Sequence, residues 1–187
     1  VQMSARTPTS TAMHALTIDH LSGGRMVLGL GLSGPQVVEG WYGQPFGKPL
    51  ARTREYVSIV RQVLAREAPV TSAGPHFPLP YQGPNGLGLG KPLRPITHPL
   101  RADLPVWLGA EGPKNVALTA EIADGWLPIY YSPKVGDMYR SWLGEGFARP
   151  GARRAPADFE IATNCQVVIT EERQRALEAM RPMLAFY

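Results

Sequence analysis

The sequence predicts an α/β fold on parallel strands, an incomplete (β/α)8 barrel of the TIM type, and three observations carry that expectation. Apolar, strand-like runs alternate with segments of helical period along all 187 residues, an order that requires parallel strands joined by crossover helices. Residues 104–129, LPVWLGAEGPKNVALTAEIADGWLPI, join a strand, a tight turn, a helix and a second strand without spare residues, which makes one βαβ unit. An open doubly wound sheet would satisfy both observations, and the count favours the barrel without deciding between them. Five strand candidates, the first entered part-way, match the middle of an eightfold repeat that takes roughly 250 residues. The expectation is one partial barrel domain over residues 1–187 with a Pro/Gly-rich insertion at 68–103, and the chain reads as a fragment.

In chain order, residues 1–5 are too short to assign alone though the sequence reads as beginning inside a strand, and Arg6-Thr7-Pro8 lead into a helix capped by Thr9 or Ser10. Ala12, Met13, Ala15, Leu16, Ile18 and Leu21 keep helical spacing up to a stop at Gly23-Gly24. His14 and His20 lie on this helix six residues apart and do not face one another, so neither is read as half of a metal pair. Residues 25–30 form the next strand, and Gly29, Gly31 and Gly34 spell a literal GxGxxG. A dinucleotide fingerprint needs a helix opening at its third glycine. Here Pro35 is followed by Gly40, Gly43, Pro45, Gly47 and Pro49, and the distant acidic residue, Glu55, sits in a helix marked by Tyr56, Ile59, Val60, Val63 and Leu64. The Rossmann reading is rejected; the glycines instead let a ligand or a neighbouring strand approach. The loop 33–50, with Gln36, Glu39, Trp41, Tyr42 and Phe46, reads equally as pocket lining or as packed surface.

Prolines and glycines interleave through residues 68–103, so no regular helix survives there, and a connection of that length serves as a lid, a binding loop or an oligomer contact. His76 and His98 within it have no Cys, Asp or second His at ligand spacing, and no metal site is expected. Residues 104–108 are apolar and uncharged, the pattern of a strand buried on both faces. Gly109 and Ala110 allow a tight turn, Gly112 is free to take a positive φ, and Pro113 stands where a first helical residue belongs. The unpaired N–H groups of that helix start point back over the strand end, and with the helix dipole and Lys114 they form a ready phosphate site. Ala123-Asp124-Gly125 stops the helix and residues 126–129 are the next strand. Ser132-Pro133 opens a further helix, with Val135, Met138, Tyr139, Trp142 and Leu143 on one face, which Gly144 and Gly146 end. Residues 159–169 alternate with period two, a strand holding Cys165 as a core thiol. Thr170, Glu171 and Glu172 begin the last helix, which Pro182 kinks or shortens.

Composition removes several classes of function. The 19 Lys and Arg are scattered among 15 Asp and Glu, and only Arg153-Arg154 are adjacent, so the net charge of +4 leaves no nucleic-acid footprint. No apolar run approaches the ~20 residues that cross a bilayer. A single cysteine excludes an internal disulfide framework, and a reduced, cytoplasmic setting is expected.

Ser22-Gly23-Gly24-Arg25 running into Leu28-Gly29-Leu30-Gly31, then residues 52–64, and above all residues 105–114 with the later Ala123-Asp124-Gly125-Trp126, resemble the bacterial-luciferase-like flavin or deazaflavin oxidoreductases. The resemblance covers nearly the whole chain and is closest to the F420-dependent branch. It implies a TIM-type barrel lacking its first, second and eighth strands here, coenzyme F420 or alternatively FMN as cofactor, and hydride transfer to or from a small-molecule substrate. A homodimer is compatible with this reading, and composition points to no nucleic-acid or membrane partner. By the resemblance the cofactor phosphate would rest on the amides around Gly112 and Pro113 with Lys114; Gly31, Leu32, Ser33, Ala110 and Glu111, at the C-terminal strand ends where ligands bind in this architecture, complete the expected cofactor contacts. The family's bulged third strand, which backs the cofactor ring, would fall just before Val1. A glutamate that some sugar-phosphate dehydrogenases of the family carry after the fourth strand is replaced near that place by Gly34. No proton donor follows from the resemblance; His14, Glu39 and Tyr42 are candidates by loop position and residue type alone.

Overall fold

The computed structural model describes residues 1–165 and 167–186. Four parallel strands form one sheet in the order β1 (Leu28–Gly31), β2 (Val106–Gly109), β3 (Gly125–Leu127) and β4 (Glu160–Ile161). Gln2 bridges in parallel to Gly31, so the opening residues run beside β1 before a 3-10 turn at Met3–Ala5. The connections are filled by α1 (Pro8–Leu21), α2 (Pro35–Gly40), α3 (Pro49–Ala65), α4 (Pro113–Ile122), α5 (Gly136–Phe147) and α6 (Arg173–Phe186). Each strand pairs with the next one in the chain, whereas a doubly wound sheet reverses its order at a switch point. The chain is therefore an arc of a (β/α)8 barrel.

Strand register separates two faces. Leu28 and Leu30, opposite Val106 and Leu108, share one face with Trp126, and all five are buried. Against them α1 brings Ala12, Ala15 and Leu16, and α3 brings Tyr56, Ile59, Val60 and Leu64. Further along, α4 and α5 close over Trp126 with Val116, Ala120 and Leu143. Each such large apolar side chain contributes about 1.5–3 kcal/mol by leaving water. The other face carries Gly29, Gly31, Trp107, Gly109 and Leu127, which are only half-buried. Double-sided burial of residues 104–108 is thus not what the structure has. The inner face of a barrel is covered by strands across the lumen, and this arc brings none there.

The lower rim, where the strands begin, is bolted by Asp124, 4% exposed. One of its oxygens accepts from the Val106 amide (2.8 Å) and from Arg61, the other from Arg153 (2.8 Å) and Arg154 (2.7 Å). Burial alone would raise its pKa, but the Val106 amide and the Arg61 guanidinium hold it below the usual carboxylate value. Asp19, 1% exposed, is held low mainly by Arg101, which joins α1 to the end of the insertion. The insertion itself has no helix and folds back through antiparallel bridges, Val70 to Leu93 and Ser72 to Leu79. No helix among the described residues is long and apolar enough to cross a membrane.

Several local expectations are corrected. The cap of α1 is Thr7, whose side chain accepts from the Ser10 amide, because Pro8 already takes the first helical position. A helix does open after Gly34, but α2 has six residues and is not the crossover to β2, which is α3. Gly144 and Gly146 lie inside α5 and do not end it. The strand expected over 159–169 shrinks to β4, and Cys165 is exposed, not a core thiol. Among the described residues β4 pairs only with β3, so the alternating residues beyond it find no second surface; Ile169 is 97% exposed. Gln166, within that expected strand, lies outside the described residues. Pro182 lies inside α6, which runs on to Phe186.

Candidate functional site

β1 and β2 end side by side, with Gly31 opposite Gly109, and each exit carries part of the candidate site. At the exit of β2, Ala110 is buried and Glu111, Gly112, Pro113 and Lys114 are exposed. Gly112 is the N-cap of α4, with φ −85° and ψ 157°. The expected positive φ is therefore not used, because an N-cap takes extended backbone. Its lack of a side chain matters differently: a Cβ added there meets no protein atom within 4 Å, so the backbone lies open to whatever approaches the helix start. No side chain caps this end. Pro113 has no N–H, and the amides of Asn115 and Val116 both turn inward to the Gly112 carbonyl (3.0 and 2.9 Å). Among the described residues the amides of Gly112 and Lys114 have no acceptor, and they lie at the positive end of the helix dipole beside the Lys114 ammonium. Unpaired amides at the positive end of a helix dipole are the kind of donors that an anion such as a phosphate accepts from.

The turn is held from behind. The buried Trp126 indole donates through Nε1 to the Ala110 carbonyl at 2.7 Å. The next residue, Glu111, accepts from the Ile129 amide at 2.8 Å, so its carboxylate straps the turn to the exit of β3. Packing around the Glu111 carboxyl pushes its pKa up, and the Ile129 amide partly offsets this. The sequence places Glu111 among the expected cofactor contacts but does not show Trp126 or Ile129 as partners of the turn. Their bonds span 16 and 18 residues, and the pairing of the 105–114 turn with Trp126 in one motif was the signal available.

At the exit of β1, Gly31 also leaves open space where a Cβ would stand, and Ser33 turns the chain with φ 61°. Leu32 packs against the core cluster instead and, with Met3, Phe46, Tyr56 and Phe77, lines a cavity of about 20 Å³, room for one water. At the exit of β3, Tyr131 stacks on Tyr139 of α5 (5.2 Å, 25°), and Tyr139 meets Trp126 edge-on at 5.3 Å. No hydrogen bond among the described residues joins the three acid–base candidates to one another. His14 Nδ1 meets the Ser10 carbonyl within α1 (2.7 Å), Glu39 accepts from the Phe46 amide (3.3 Å), and Tyr42 is half-buried after α2.

The chain resembles known proteins in sequence and in fold. The profile of the luciferase-like monooxygenase family matches residues 1–187. A putative coenzyme F420-dependent oxidoreductase of Mycobacterium tuberculosis is 70% identical over 187 residues, which are 100% of this chain and 54% of that protein. The 5,10-methylenetetrahydromethanopterin reductase of Archaeoglobus fulgidus is 34% identical over 179 residues, 96% of this chain and 49% of that protein. The coenzyme F420-dependent tetrahydromethanopterin reductase structure from Methanopyrus kandleri superposes with a TM-score of 0.78 at 24% identity, covering 100% of this chain and 54% of that one, a likeness of fold. The chain thus spans about half the length of the curated relatives it matches. With its strand order, its open turn before α4 and a profile match from end to end, the chain belongs to the luciferase-like monooxygenase family.

Proposed function

We propose that this chain forms the phosphate-holding half of an F420-dependent oxidoreductase that moves a hydride between the deazaflavin and a small organic substrate. The observation that carries the reading is the uncapped start of α4, where Gly112 and Lys114 present unpaired amides beneath an open surface. Gly112 and Lys114 would hold the cofactor phosphate, Pro113 fixes the first turn, and Ala110 and Glu111 keep the turn in place. Gly31 and Ser33 would flank the cofactor at the neighbouring strand exit, with Leu32 in the wall behind them. The deazaflavin supplies the hydride chemistry; the protein's part is to position it and exclude water. The family's own description as monooxygenases favours a second reading, an FMN-dependent monooxygenase using the same cradle. Absorbance titration of the complete natural protein with coenzyme F420 and with FMN separates the two, and binding of neither would overturn both readings in favour of a non-catalytic chain. Gly112→Val should weaken the bound cofactor by about tenfold or more, the equivalent of one amide bond to a charged group at about 1.5 kcal/mol. Unchanged affinity by calorimetry would refute the cradle.

A further inference from the structure

We infer that Trp126 is a positioning residue for the anion cradle, holding the turn before α4 in place through its indole hydrogen bond to Ala110. The inference rests on the reading of that turn as a phosphate site. An indole N–H is a donor only, and a buried one must find an acceptor. Trp126 is fully buried, and its acceptor at 2.7 Å is a turn carbonyl two residues before the N-cap of α4. The indole is itself fixed, edge-on to Tyr139 at 5.3 Å and to Tyr131 at 6.4 Å, while the Tyr139 hydroxyl donates to the Tyr130 carbonyl at 3.2 Å. Glu111, next after Ala110, is strapped to Ile129, three residues beyond Trp126. Two consecutive residues of the turn are thereby tied to one strand and its exit. A tryptophan present only for its volume would pack as well without its N–H; the bond acts on the place and direction of the amides that follow Ala110.

Two variants of the complete natural protein test this. Trp126→Phe removes the donor and part of the ring, and replacement by 3-benzothienylalanine removes the donor while keeping the bicyclic shape if the phenylalanine variant does not fold. Dissociation constants for coenzyme F420 and FMN are measured by fluorescence titration, and amide hydrogen exchange is followed over residues 110–116. Both variants should raise the dissociation constant about tenfold, the fold-change that the loss of one hydrogen bond carries. Exchange should quicken over 110–116 and stay unchanged in α1 and α3. A benzothienyl variant that binds within about twofold of the parent would overturn the inference alone. A parent that binds neither cofactor would overturn the phosphate reading and this inference with it.

Discussion

Gly112 and Gly125 stand on either side of α4 and lack a side chain for opposite reasons. A Cβ on Gly112 would enter open space, so Gly112→Val should leave the melting temperature unchanged while affinity falls, which makes it a clean probe of binding. A Cβ on Gly125 would come within 2.8 Å of the Trp107 ring and of the Glu160 carbonyl, where β3 is squeezed between its neighbours. Gly125→Ala should therefore cost about 1–3 kcal/mol through overpacking, a drop of several degrees in thermal unfolding at roughly 2–4 °C per kcal/mol. An unchanged melting curve would show that β3 is not tightly packed. Residues 109–114 were legible in the sequence because Gly before Pro at a helix start is local chemistry. The bonds from Trp126 to Ala110 and from Glu111 to Ile129 were not, since nothing local chooses between partners 16 and 18 residues away. Gly125 was read as a helix stop for the same reason: the Trp107 ring that forbids its side chain lies on another strand.

At the scale of elements, α5 shows where periodicity misleads. Its apolar positions are visible in the sequence, but the pair Gly144 and Gly146 predicts its end, and the helix runs through both to Phe147. Gly146 lies against α4, where a Cβ would stand 2.1 Å from the Ala117 carbonyl and 2.6 Å from the Ala120 side chain, so the pair of helices meets at backbone distance. Gly144 is exposed and a Cβ there meets nothing. Helix propensity favours alanine over glycine by about 1 kcal/mol at either position. At Gly144 that gain stands alone, and Gly144→Ala should stabilise by about 0.5–1 kcal/mol. At Gly146 overpacking of about 1–3 kcal/mol outweighs it, and Gly146→Ala should destabilise. Denaturant unfolding of the two variants decides: shifts of the same sign would contradict the close crossing. The same pair of helices is tied to α3 by Glu121, which accepts from Arg54 (2.5 Å) and from Arg149 just beyond α5 (2.8 Å).

Over the whole molecule, the parallel order of strands was legible because alternation of strand and helix leaves few topologies, while the wetter inner face was not, since an apolar run has the same letters whether one face or two are covered. What locks the arc together is carboxylates placed where elements meet: Asp124 at the strand starts, Asp19 between α1 and the insertion, Glu121 among three helices. All three are held below their ordinary pKa values, Asp124 against the opposing pull of its burial, the other two chiefly by the hydrogen bonds of Arg101 and Arg54. A group whose folded pKa is depressed contributes stability that is complete above its unfolded value, about 3.9 for Asp and 4.3 for Glu, and that is lost as pH falls towards the folded value. Glu111 is shifted upward and opposes this, one group against three. The melting temperature should accordingly stay level from pH 7 to about 5 and fall steeply below about pH 4. Asp124→Asn should lower stability at neutral pH by about 3 kcal/mol, since Arg61, Arg153 and Arg154 lose their shared counter-charge, and should flatten the acid limb. Calorimetric scans across that range check both; an acid limb of equal slope in the variant would mean that the rim of the barrel is held by something other than Asp124.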